Sequence, residues 1–172
     1  MPAAHEVMQR LEGFVSTFTD ANGNPPQAVA TWVEGCKAAL RSPDARNQTD
    51  WDFVGTSIDL DETEEEIDTG AATVYGILGV VTDEDETVTF SWYDVATGTN
   101  PTVASTDLND AGQLAGSFIV RGGTASLTVY GGVVFPGGQS LANGLKIAVT
   151  ETDEGTAIAA NSCRAFVLWR SN

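Results

Sequence analysis

The sequence predicts a mainly β protein: an antiparallel β-sandwich or jelly-roll-like domain preceded by a short helical N-terminal segment. Three observations carry this. From Trp51 onward apolar residues recur with a period of two, the spacing that sends alternate side chains to opposite faces of a strand. Clusters of Gly, Pro, Asn and Asp interrupt that alternation and delimit about eight short strands. No helical pattern separates those strands, which excludes parallel βαβ crossovers and leaves a sandwich or jelly roll. The chain divides into a helical arm, residues 1–45, and a β domain, residues 46–172.

The arm reads as two helices. Val7, Leu11, Phe14, Val15 and Phe18 fall at i, i+4, i+7, i+8 and i+11, one face of the first. The run Val15-Ser16-Thr17-Phe18-Thr19 weakens its end, because β-branched and hydroxyl side chains disfavour helix. Asp20-Ala21-Asn22-Gly23-Asn24-Pro25-Pro26 breaks the chain. A second helix follows, with Asn24 as the expected cap and a proline near its first turn. Val29, Trp32, Val33, Cys36 and Leu40 line its apolar face, Gly35 weakens its middle, and Pro43 sets its end. Two short amphipathic helices do not stand alone. They are expected to dock on the β domain, on each other, or on another chain.

In the β domain, Trp51–Ile58 reads as a first strand and Asp59–Asp68 as an acidic loop. Thr73–Val81 is apolar on both faces and so central. Thr87–Asp94 alternates, with Val88, Phe90 and Trp92 on one face. A long loop, Ala96–Gly112, precedes strands at Gly116–Arg121, Ala125–Tyr130, Gly132–Phe135, Leu145–Thr150 and Cys163–Arg170. Turns are expected at Asp83–Glu86, Gly122-Gly123, Pro136-Gly137-Gly138 and Asn143-Gly144.

Charge narrows the function. The 172 residues carry 24 Asp and Glu against 8 Lys and Arg, a formal net charge of −16. Such a surface repels phosphate backbones and anionic membranes, so neither direct nucleic-acid binding nor membrane binding is expected. Met1 to Leu11 has no apolar core of a signal peptide. No apolar run approaches the ~18–20 residues of a membrane span. A soluble protein of a reducing cytoplasm is therefore expected. Cys36 and Cys163 belong to no metal-binding spacing and read as buried free thiols, the alternative being a bridge between arm and last strand.

Catalytic chemistry finds little footing. The single histidine, His5, would have to serve any Ser-His or Cys-His arrangement, and no nucleophile motif surrounds it or any candidate partner. The acids from Asp59 to Asp68 invite a calcium reading but lack the spacing of a calcium loop, and read as a solvated connection. No phosphate-binding glycine motif occurs. Trp51, Trp92, Trp169 and Tyr93 would form a sugar-stacking platform if exposed, and a packed core otherwise. No enzyme, no cofactor and no metal are expected.

Four segments in order resemble a family of small β-structured virion proteins of tailed bacteriophages. The first is the glycine-punctuated strand Ala72-Thr73-Val74-Tyr75-Gly76-Ile77-Leu78-Gly79-Val80. The second is Phe90-Ser91-Trp92-Tyr93-Asp94-Val95, running on through Ala96-Thr97-Gly98-Thr99-Asn100-Pro101-Thr102-Val103. Gly131-Gly132-Val133-Val134-Phe135-Pro136-Gly137-Gly138 then leads to Leu141-Ala142-Asn143-Gly144-Leu145-Lys146-Ile147-Ala148-Val149-Thr150. The last is the terminal strand ending Val167-Leu168-Trp169-Arg170. The resemblance implies a capsid decoration or cement protein on the major capsid protein lattice, in a virion assembled in the host cytoplasm. It also implies an oligomer, a trimer being the form expected. The arm, outside the resemblance, is then the expected contact with a virion partner, through Val7, Leu11, Phe14, Phe18, Val29, Trp32 and Val33. The alternatives are a neck or tail component and a carbohydrate-binding sandwich.

Overall fold

The computed structural model describes residues 3–20, 22–60, 65–82, 87–96, 114–121, 128–151 and 162–172; the side chains of residues 46, 54–59 and 151 are outside the description. The period-two segments form eight strands among these residues: β1 (Trp51–Leu60), β2 (Glu65–Asp68), β3 (Ala72–Val81), β4 (Thr87–Tyr93), β5 (Leu114–Arg121), β6 (Val129–Leu141), β7 (Leu145–Glu151) and β8 (Cys163–Ser171). They make two antiparallel sheets of four, in the orders β1-β8-β3-β6 and β2-β7-β4-β5. Consecutive strands alternate between the sheets, except β4 and β5, which are neighbours in the second sheet. Two sheets wound in this way, eight strands in all, are the jelly-roll form of the sandwich. The expected loop Ala96–Gly112 and the expected turns at Asp83–Glu86 and Gly122-Gly123 lie largely or wholly outside the described residues.

The arm forms α1 (Ala4–Val15), a 3-10 turn (Ser16–Phe18), α2 (Gln27–Leu40) and the single turn α3 (Pro43–Arg46). The hydroxyls that weaken the end of α1 act as expected. Ser16 Oγ donates to the Gly13 carbonyl and Thr17 Oγ1 to that of Phe14, tightening the last turn. Asn24 does not cap α2. The Asp20 carboxylate accepts the backbone N–H groups of Asn22 and Asn24 and so folds the connection, while Pro26 occupies the cap position. Ser42 caps α3 by accepting the Ala45 N–H at 3.2 Å.

The sheet containing β3 and β8 is buried on both faces. Toward the second sheet it presents Ala72, Val74, Ile77, Ala165, Val167 and Trp169, which pack on Val88, Phe90, Trp92, Leu145, Ile147 and Val149. Its other face carries Tyr75, Leu78, Val80, Phe166 and Leu168, and α1 and α2 cover it. Among the described residues the molecule is thus three layers deep: helices, sheet, sheet. This corrects the expected role of the arm. Val7, Leu11, Phe14, Val29, Trp32 and Val33 are buried in the chain's own core, and Phe18 packs half-buried against it. The apolar stripes have a partner already, so they offer no free surface to another protein.

A bulge sets the contact between layers. Val74 faces Trp169 and Gly76 faces Leu168, so two steps on β3 match one on β8, and Tyr75 and Gly76 both turn toward the helices. A Cβ on Gly76 would lie 2.8 Å from Cys36 Sγ and 3.1 Å from Trp32 Nε1. Gly35 on α2 is as tight, its Cβ position 2.9 Å from Val134. The helix glycine that looked like a weakness is what lets α2 settle onto β6. Trp32 is fixed there by an Nε1 donation to the Val133 carbonyl at 3.3 Å. Gly76→Ala is expected to cost about 1–3 kcal/mol by overpacking. Adding Cys36→Ala should restore part of the loss, a coupling that a double-mutant cycle of thermal or denaturant unfolding measures.

Two expectations about the strands are corrected. Pro136-Gly137-Gly138 is not a turn between strands. β6 runs through it for 13 residues, and residues 135–138 bulge out where Val74 faces Gln139 but Gly76 faces Val134. Gly138 takes φ 75° there, a backbone open to glycine. The end of the acidic loop is also a strand. β2 pairs with β7, Glu66 opposite Lys146, whose ammonium stands 3.8 Å from the Glu66 carboxylate. The expected Asn143-Gly144 turn is present and links the two sheets. The Asp94 carboxylate holds it by accepting Ala142 N–H at 3.0 Å and Asn143 N–H at 2.7 Å.

Candidate functional site

The most elaborate side-chain assembly is aromatic and lies between the helices and β8. Phe14 is its hub, with ring centroids 4.8 Å from Phe18, 6.1 Å from Trp32, 5.2 Å from Phe53 and 4.6 Å from Phe166. The edge-to-face angles are those that aromatic quadrupoles favour. Six of the seven residues expected to meet a partner are buried in or beside this cluster, and Phe18 closes its margin. The structure therefore brings the expected site residues together, but as a core.

Lys37 ties the two helices outside that core. Its ammonium lies 3.1 Å from Glu34 and 3.2 Å from Glu12. The hydrogen bond to Glu34, then that to Glu12, raises its pKa above the usual lysine value. A raised lysine pKa stabilises the fold at neutral pH, and the contribution is lost as pH rises through the folded-state value. Both carboxylates are exposed, so the contribution is small.

The other expected ligand surfaces are also interior. Trp51, Trp92, Trp169 and Tyr93 are all buried, Trp169 being the most exposed of them at 6%. Trp92 Nε1 donates to Gln139 at 2.9 Å and Trp169 Nε1 to Asp68 at 3.2 Å, so their polar edges are occupied as well. No face of this set is open to stack on a sugar. Cys36 and Cys163 are both buried, and neither is in a disulfide. Cys36 lies in the core under the helices and Cys163 in the core between the sheets, so the body of a sheet separates them and the bridge is ruled out. Burial pushes the Cys36 thiol far above its ordinary range, which keeps it protonated and unreactive.

The described residues line open clefts, three of which bear on the question of a site. One of about 560 Å³ is lined by Phe18, Asp20, Asn24, Pro25, Pro26 and Tyr130. A neighbour of about 410 Å³ shares Phe18 and Tyr130 and adds Val80, Arg164 and Phe166. The Tyr130 phenol is pushed up by burial. A third, about 310 Å³, holds Asp50, Asp52 and Asp68 beside Trp51 and Trp169. Two of its acids serve the fold: Asp68 accepts from Trp169, from Ser171 and from Gly70 N–H, and Asp52 accepts from Phe53 N–H. Among the described residues no group of three or more His, Cys, Asp or Glu side chains is placed to hold a metal ion. His5 is exposed on the first turn of α1, and no hydrogen bond joins it to a described hydroxyl or thiol. Tyr130 and Arg164 escaped the sequence reading because nothing in an alternating strand marks which outward residue borders a cleft.

Fold and surface together define an eight-stranded jelly roll with a covering helical layer, in which all four tryptophans are buried. No family model matches the sequence, and no curated protein sequence matches it. Among solved structures the chain is similar to a chain in the structure of the infectious bursal disease virus Gx strain, at 16% identity and a TM-score of 0.27. The likeness covers 69% of this chain and 29% of that one. Among the described residues no helix is long and apolar enough to cross a membrane.

Proposed function

We propose that the chain is a non-enzymatic structural component of a virus particle that decorates or cements a capsid by binding its major capsid protein lattice. The observation that supports this best is the strand order, β1-β8-β3-β6 facing β2-β7-β4-β5. Jelly rolls of this kind serve viral capsids, lectins and cupins. A fold alone does not choose among such uses. Here the burial of all four tryptophans removes the aromatic platform of the sugar-binding alternative. The four ordered segments that resemble phage virion proteins favour the particle. The contribution to the particle is surface buried between neighbouring capsomers, and stable contacts of this type take roughly 1,200–2,000 Å².

Mass spectrometry of purified particles from the encoding virus tests the reading. A copy number close to that of the major capsid protein is expected. A few copies per particle would instead indicate the neck or tail, and absence from the particle would overturn the proposal.

A further inference from the structure

Acidic residues are distributed unevenly, and the fold turns that unevenness into a surface. No Asp or Glu occurs from Ala111 to Thr150, although the chain has 24 of them. That stretch supplies β5 and β6, the outermost strands at one side of the two sheets, and all but the last residue of β7 within the second sheet. The other outermost strands, β1 and β2, carry Asp52, Asp59, Glu65, Glu66 and Asp68. Among the described residues the sandwich therefore has one edge whose strands carry acids and one whose strands carry none, with a single charge, Arg121.

The acid-free edge is also the incompletely closed side of the inter-sheet core. Phe118, Val129, Val133 and Phe135 pack against that core but remain partly exposed. Beside them on β5, Ile119 is 61% exposed, the one large exposed hydrophobic among the described residues. Each of β5 and β6 has only one strand neighbour among the described residues, which leaves edge backbone groups for another chain to meet.

We propose that the β5–β6 edge is where two copies of this chain meet. The charge pattern selects this occupant. Each copy carries a formal −16, so copies repel one another across any acidic face and approach at least cost through the edge without acids. The dimensions suit a weak contact. Its bulge apart, β6 runs along the ten residues of β3, about 30 Å, and the sheets lie about 10 Å apart. With side chains, the edge offers on the order of 450 Å² per copy, the size of a transient interface, which buries under ~1,200 Å² in total. The inference deepens the proposed structural role and rests on it for the use made of self-contact.

Sedimentation of the full chain alone tests it, without capsids, so its outcome is separate from that of the particle assay. The wild type is expected to self-associate. Association should tighten as salt rises from about 0.01 M to about 0.15 M, over which the screening length falls from ~30 Å to ~8 Å. Ile119→Asp is expected to weaken it ~10-fold or more, while Gln9→Glu, the same added charge on the exposed face of α1, leaves it unchanged. Circular dichroism checks that the variant is folded, and Ser117→Asp, at an exposed position on the same strand, replaces it if it is not. A wild type that stays monomeric throughout, or association that both β5 variants leave intact, would overturn the proposal. So would equal weakening by Gln9→Glu.

Discussion

A fragment that begins at residue 47 is expected not to fold. Removing α1, α2 and α3 uncovers Trp51, Phe53, Tyr75, Leu78, Val80, Phe166 and Leu168, all buried in the core beneath the helices. Burying a large apolar side chain contributes about 1.5–3 kcal/mol, so uncovering these residues forfeits roughly 10–20 kcal/mol, an upper bound by area. Domain stabilities are about 5–15 kcal/mol. The loss matches or exceeds the whole, and β3 and β8 would face water with an apolar side that invites aggregation. Far-UV circular dichroism and gel filtration of residues 47–172 are expected to show an unfolded or aggregated product. A soluble fragment with a cooperative melt would mean that the helices are an accessory arm after all.

Phe14→Ala carries the largest expected effect of a single substitution. The side chain is buried and its ring touches those of Phe18, Phe53, Trp32 and Phe166, which belong to three different parts of the fold. Truncation removes the transfer energy of the ring and leaves a cavity between rigid neighbours, for about 3–5 kcal/mol. For a chain of this length each kcal/mol lowers Tm by about 2–4 °C, so a fall of about 6–20 °C is expected in a thermal melt. Phe14→Leu should lose much less, because it keeps most of the volume. An unchanged Tm for Phe14→Ala would show that α1 is not seated on the sheet.

Much of the fold was legible because strands buried on one or both faces write their pattern directly. β3, β4, β5, β7 and β8 emerge within two residues of the alternation that announces them. β6 was misread because Pro136 lacks an N–H and glycine permits a turn. Only the partner β3, with Tyr75 bulged opposite, shows that the strand resumes. β2 was misread because acids disfavour strands. Two of its acids are held by residues distant in sequence: Lys146 stands by Glu66, while Trp169 and Ser171 donate to Asp68. Such compensation is tertiary and leaves no local trace.

The candidate site was less legible, for a related reason. An apolar stripe announces that a helix must be covered and does not say by what. The stripes of α1 and α2 fit the β domain, the other helix or another chain, and the resemblance implies a virion partner for them. What selects the β domain is the bulge at Tyr75-Gly76 and the close seats beside Gly35 and Gly76, features that need the register of β3 against β8 to be seen. The acid-free stretch was present in the sequence throughout. It acquires meaning only once β5 and β6 are known to share one edge.

Co-sedimentation of the full chain with capsids that lack it tests the structural role most directly. Saturable binding is expected, at a fixed number of copies per capsomer and with Phe14→Ala binding in proportion to its folded fraction. No binding to intact capsids, by a chain shown to be folded, would contradict the account.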